Sequence, residues 1–136
     1  MRHTNPSGYV YYDNEAELCQ ELENLFFPTF FDKGWKPQPL LTKEVPPSEN
    51  SFKRIDYYGT CNKKSTWIEV KNWWVTQKDI RQIYKYSRIL KQPYDFYVIC
   101  GGIEKPRRLF LEDIGIKIIL TRNIEEINPM ELVHWM

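Results

Sequence analysis

Histidine and cysteine are scarce in this sequence. The two histidines, His3 and His134, lie near opposite ends of the 136 residues. Histidine-based catalysis and histidine-held zinc are therefore not expected. The three cysteines, Cys19, Cys61 and Cys100, are widely spaced and form no CxxC. They read as reduced thiols of a cytoplasmic compartment, not as a disulfide frame or a zinc site. No run of about twenty apolar residues occurs, so no membrane span is expected. Met1 to Tyr12 lacks the apolar core of a secretory leader. Repeats and low-complexity tracts are missing too, and one soluble domain over residues 1–136 is expected.

What the chain does have is apolar and aromatic mass, 42% and 15% of residues, ample for a core. Its net charge of +1 hides an uneven distribution. From Lys33 to Lys91 thirteen basic residues face five acidic ones, an excess of eight. The acids gather near the start (Asp13, Glu15, Glu17, Glu21, Glu23) and near the end (Glu112, Asp113, Glu125, Glu126, Glu131). A basic centre of this kind suits a polyanionic partner.

The centre also holds the residues with chemical potential. Phe52–Tyr58 reads as a strand, Gly59–Ser65 as a polar turn, and Thr66–Trp74 as a second strand. Side chains alternate along a strand, so Trp67, Glu69, Lys71 and Trp73 share one face while Ile68 and Val70 face a core. A hairpin brings Asp56 to the same end of the sheet. Two carboxylates and an ammonium at one point are costly unless a divalent ion lies between them, and oxygen donors of this kind suit Mg²⁺ or Mn²⁺. The plain alternative is that Glu69 and Lys71 are surface charges on a solvated face.

Around this pair the order is helix, hairpin, helix, strand, short helix, strand. Residues 1–12 look irregular or weakly extended. Asp13 or Asn14 caps a helix running to about Phe27, where Pro28 discourages continuation. Its apolar stripe is Leu18, Cys19, Leu22, Leu25 and Phe26, and Glu15 lies on that side while Glu17 lies on the wet face. Glu15 is thus either a site acid or a first-turn partner of the helix dipole. Residues 28–51 carry five prolines, with a short edge strand expected within Trp35–Lys43 and a loop over Pro46–Ser51. Thr76 caps a second helix over Gln77–Lys91, with Ile80, Ile83, Ser87 and Leu90 toward the core. Lys78, Arg81, Lys85 and Arg88 form a basic stripe on roughly the opposite side, either a path for phosphates or a solvated face. Lys53 and Arg54 add charge beside Asp56. Between the stripes lie Gln82 and Tyr86, at i and i+4. Tyr94–Cys100 and Ile116–Leu120 read as strands, Lys105–Gly115 as a basic turn with a short helix, and residues 121–136 as a turn and helix.

The ordered set of Glu15, Asp56 in R-I-D, Glu69-Val70-Lys71 in W-I-E-V-K, and Gln82 to Tyr86 in Q-I-Y-K-Y resembles the PD-(D/E)XK nuclease superfamily. Its style is nearest to archaeal Holliday junction resolvases and RecB-like nucleases. Ile55 stands where the superfamily name has proline. Glu15-Ala16-Glu17-Leu18 is similar to the resolvase E-x-E-L start, whose first acid is the ligand.

The resemblance implies an α/β fold with a restriction-endonuclease-like core, a central mixed β-sheet flanked by helices. It implies Mg²⁺ held by Asp56, Glu69 and the Val70 carbonyl, with Glu15 holding a water or a second ion. Lys71 would position the attacking water or stabilise the transition state, and Gln82 and Tyr86 would border the site or simply close a helix–sheet contact. The activity implied is a Mg²⁺-dependent DNA endonuclease acting as a homodimer or homotetramer, selective for structure or for sequence. A small restriction or homing-type endonuclease, an RNA-directed nuclease, or a non-catalytic nucleic-acid-binding module on the same fold are the alternatives.

Overall fold

The computed structural model describes residues 1–30, 42–45, 55–61 and 64–124. Its centre is a five-stranded mixed sheet ordered β3 (Thr42–Val45), β4 (Ile55–Cys61), β5 (Lys64–Trp74), β6 (Tyr94–Gly102), β7 (Lys117–Leu120). The first three strands are antiparallel to one another, and β5, β6 and β7 run parallel. Parallel neighbours need a crossover. Helix α3 (Gln77–Ile89) links β5 to β6, and α4 (Lys105–Asp113) links β6 to β7.

Alternation along β6 sorts the core into two clusters. Phe96, Val98 and Cys100 pack with Ile80, Ile83 and Tyr86 of α3, with Leu90 just past its end, and with Leu111 of α4. Ile99 packs on the other side with Ile68, Val70 and Tyr57, and with Leu18 and Leu22 of the N-terminal helical segment. Helices thus cover both faces, as a parallel sheet requires. Each such side chain taken fully out of water contributes about 1.5–3 kcal/mol. The expected α/β core with a mixed sheet between helices is what the chain forms.

Local departures from the sequence expectations have physical causes. The β-hairpin pairs Cys61 with Lys64, so only residues 62 and 63 lie between its strands and the turn is far shorter than Gly59–Ser65. Residues 2–4 and 10–12 are not irregular but pair antiparallel as β1 (Arg2–Thr4) and β2 (Val10–Tyr12), with Gly8 at φ 88° in the connection. The first helix, α1 (Glu15–Glu21), is capped by Asn14, widens into a π turn at Leu22–Phe26, and resumes as α2 (Phe27–Phe30). The helical path therefore runs on past Pro28, with the π turn immediately before it. In α3 the core position falls to Tyr86, fully buried, while Ser87 is half-buried and donates its hydroxyl to the Tyr84 carbonyl. Of the expected edge strand only Thr42 and Lys43 lie among the described residues. The loop at 46–51, Lys53, Arg54 and the helix expected over 125–136 lie outside them.

One side chain docks β2 onto the end of β5. The Asn72 amide accepts from Tyr12 N–H at 2.8 Å and donates to the Tyr12 carbonyl at 2.7 Å, imitating a neighbouring strand. This fixes where the chain turns into α1, and hence where Glu15 lies. Asn72→Ala should cost about 1–3 kcal/mol by denaturant unfolding, through two lost bonds and an orphaned backbone pair.

Candidate functional site

The backbone pairing of β4 with β5 runs from Cys61–Lys64 up to Tyr57–Ile68. One residue further, the Asp56 carboxylate takes the place of a backbone acceptor: its Oδ2 receives the Val70 N–H at 2.7 Å. The side chain is thereby drawn in beside Glu69.

Glu69 is only 4% exposed, among the very few buried polar residues described. Its Oε2 is buried with no hydrogen-bond partner. Burial, followed by the adjacent Asp56 carboxyl, pushes the Glu69 carboxyl up to about 10. An acid in this position stays protonated at neutral pH unless a cation replaces the proton. The Lys71 ammonium stands 3.9 Å from Glu69 Oε1 and 3.3 Å from Asp79 Oδ1. Burial alone would lower the Lys71 pKa, but Glu69 and Asp79 outweigh it and leave the ammonium raised.

Sequence reasoning missed Asp79. It is the N3 residue of a capping box: Thr76 N–H donates to Asp79 Oδ2 at 2.8 Å, and Asp79 N–H donates to Thr76 Oγ1 at 3.2 Å. One oxygen of this carboxylate starts α3 and the other holds Lys71. Burial opposes its ionisation, but the Thr76 backbone bond and Lys71 keep its pKa low. The T-x-x-D spacing ahead of an apolar run was the available signal.

Glu15 and Glu17 part company. Glu17 contacts the amino group of Met1. Glu15 is exposed as a whole residue, yet its carboxyl is held above the ordinary range, first by desolvation and then by the charge on Asp56, with Lys71 opposing. It therefore stands in the field of the pair. Among the described residues no three His, Cys, Asp or Glu side chains close on a single point. Gln82 Nε2 donates to Tyr86 Oη at 2.7 Å, and burial, then Glu69 among the nearby charges, raise the Tyr86 phenol. Lys78, Arg81, Lys85 and Arg88 are all exposed along α3, and Arg88 leans on Tyr84, donating to its hydroxyl at 3.0 Å. Val70 presents its N–H to Asp56 and its side chain to the opposite core. Strand alternation holds for Trp67, Glu69 and Lys71 but not for Trp73, because a bulge breaks the pairing with β6 between Lys71 and Trp74.

The donor set fits a small, hard divalent cation. Mg²⁺ typically takes one or two protein carboxylates and keeps several waters. Asp56 and Glu69 supply two carboxyls close enough to share a hydrogen bond, and Glu69 Oε2 meets no donor group.

No protein-family model matches this chain, and no curated protein does. Among solved structures it is similar to a repair endonuclease from Pyrococcus abyssi, with TM-score 0.58 and 18% identity over 81% of this chain and 47% of that one. It is also similar to EndoMS in a complex with dsDNA, with TM-score 0.60 and 16% identity over 85% of this chain and 46% of that one. The chain thus spans about half the length of either neighbour. At such low identity the likeness bears on architecture. The likeness shows the fold, a restriction-endonuclease-like α/β core, in which β4 and β5 bring Asp56, Glu69 and Lys71 together.

Without added divalent ions, the raised Glu69 pKa fixes a sign. The folded state binds this proton more tightly than the unfolded state, so its stabilisation is full below about pH 4.5 and drains away as pH rises toward 10. Glu69→Gln should therefore flatten the loss of stability between pH 6 and 9 in chemical denaturation with chelator present. It should also leave the variant more stable than wild type at the alkaline end.

Proposed function

We propose that this chain is a Mg²⁺- or Mn²⁺-dependent endonuclease that hydrolyses phosphodiester bonds in DNA, as a homodimer or homotetramer. Its selectivity would be for structure, as in junction resolvases, or for sequence. The observation that carries the reading is the buried Glu69 carboxyl, its Oε2 unpartnered, set beside Asp56 on the strand that also bears Lys71. In support, one similar solved structure is a repair endonuclease and another is EndoMS in a complex with dsDNA.

On this reading Asp56, Glu69 and the Val70 carbonyl would hold the ion, and Glu15 would hold a water on it or a second ion. The ion supplies Lewis acidity toward the phosphoryl oxygen and a more acidic water. The protein supplies the rest. Lys71, held between Glu69 and Asp79, presents a fixed cation where charge develops on the phosphate, and a preset charge needs no reorganisation during the reaction. Gln82 and Tyr86 brace the α3 side of the site.

Supercoiled plasmid and a synthetic four-way junction, each incubated with Mg²⁺ and with EDTA, test the proposal. Cleavage should require the ion. Lys71→Ala should retain binding and cleave at least about a hundredfold more slowly, since the lysine acts on the transition state. Glu15→Ala should be impaired and Glu17→Ala close to wild type. Absence of cleavage by folded wild type on either substrate would favour the non-catalytic binding module.

The exposed stripe on α3 directly follows the strand bearing Glu69 and Lys71, so backbone phosphates approaching the site pass its N-terminal half. Arg81→Gln with Lys85→Gln should weaken binding to all DNA sequences alike. The slope of log affinity against log salt should shrink by up to about two, roughly one per lost phosphate contact. An unchanged slope would make the stripe a solvated face.

A further inference from the structure

A chain of rings adjoins the candidate site and has no part in it. His3 stacks on Tyr11 at 5.1 Å between centroids, Tyr11 meets Trp73 at 4.9 Å, Trp73 meets Trp74 at 6.1 Å, and Trp74 meets Tyr9 at 4.8 Å. The Arg122 guanidinium lies 4.8 Å from the Tyr9 ring and ends the row. Consecutive residues of a regular strand point to opposite faces, so Trp73 and Trp74 could not lie this close without the bulge after Lys71. The partner strand makes room with two glycines. A Cβ on Gly101 would lie 2.9 Å from the Asn72 carbonyl oxygen, and one on Gly102 would lie 2.7 Å from the Trp74 indole.

The two tryptophans end up differently. Trp74 packs down over Gly102 and under Tyr9, which explains it as an anchor for the N-terminal hairpin. Trp73 remains 40% exposed. Its contacts with Tyr11 and Trp74 are nearly perpendicular, at 68° and 86°, so neither ring lies flat against the indole. Trp73 follows Lys71 by two residues and Glu69 by four, past the bulge, so the strand that carries the site also carries the indole. The charge nearby that belongs to the site is the Lys71 ammonium, and the far end of the row is the Arg122 cation. Asn72, next to Trp73 in sequence, has its amide committed to Tyr12 and so is not free to read a base edge.

We propose that Trp73, buttressed by Tyr11, is a stacking subsite for an unpaired DNA base a few nucleotides from the cleaved phosphate. This rests on the nuclease reading for its substrate and deepens it. The domain engages DNA with an unpaired stretch beside the scissile bond more tightly than continuous duplex, and does so without base preference, because every base offers a flat face.

The test measures binding in EDTA, so that no cleavage intervenes. Wild type, Trp73→Ala and Trp73→Phe are titrated by fluorescence anisotropy with a labelled single-stranded oligonucleotide and with the same sequence as duplex. Trp73→Ala should lose about tenfold or more in single-strand affinity, with little change for duplex. Trp73→Phe, which keeps a ring and the packing, should recover much of the loss. Single-stranded DNA should quench wild-type tryptophan emission more than it quenches that of Trp73→Phe. Equal affinities of wild type and Trp73→Ala for both DNAs would overturn the subsite. So would equal losses for both DNAs with Trp73→Phe no better than Trp73→Ala, which marks a packing role only. Cleavage by wild type with Mg²⁺ is scored separately. Trp73-dependent binding without cleavage would sink the nuclease reading and leave the subsite standing, and cleavage with Trp73-independent binding would do the reverse.

Discussion

Two carboxyl groups set side by side in a nearly dry place form the constraint that the rest of the domain answers. Moving one ionised carboxylate out of water is expensive, and a second beside it adds repulsion. Each surrounding element offsets part of that cost. The hairpin ladder stops short so that Val70 N–H can serve Asp56. The next inward residue of the same strand, Lys71, brings the compensating charge, and α3 begins where its first-turn acid can hold that lysine. What remains unbalanced is one oxygen of Glu69. A fold selected only for stability would place an apolar side chain there.

The two faces of β5 divide the labour. Ile68 and Val70 seal the α1 side, where Tyr57 adds a hydroxyl that donates to Glu23 at 2.8 Å. Trp67, Glu69 and Lys71 stand on the α3 side, where the apolar cluster gives way to the charged pair near the helix start. The site is thus a polar gap in an otherwise continuous α/β packing. Its precision comes from being mounted on a central strand paired on both edges, not on a loop.

Much of this was legible before any coordinates. Period-two alternation placed Glu69 and Lys71 together, and a hairpin partner was enough to bring Asp56 to them. Helical spacing favoured Glu15 over Glu17. Where legibility failed, the reason is identifiable. Ser87 was read as core because periodicity marks a stripe but cannot weigh a serine against its buried neighbour Tyr86, whose ring fills the space. Asp79 was not singled out, although T-x-x-D spacing marks a capping acid, and nothing in the spacing shows where its second oxygen goes. Strands of three residues, such as β1 and β2, are too short to show alternation, and the Asn72 amide that docks them acts over a separation of sixty residues. The bulge left no pattern to find, since Trp73-Trp74 reads equally well as two faces of a regular strand.

The capping box of α3 has a mechanical consequence. A helix cap is ordinarily a local matter, closing the first turn of its own helix. Here the capping carboxylate reaches across to the ammonium on the neighbouring strand, so the seat of the helix and the aim of the lysine share one lever arm. A tilt or axial slip of α3 would stretch the contact between Asp79 and Lys71. A load on the start of the helix therefore has a direct route to the lysine, through the one carboxylate that serves both.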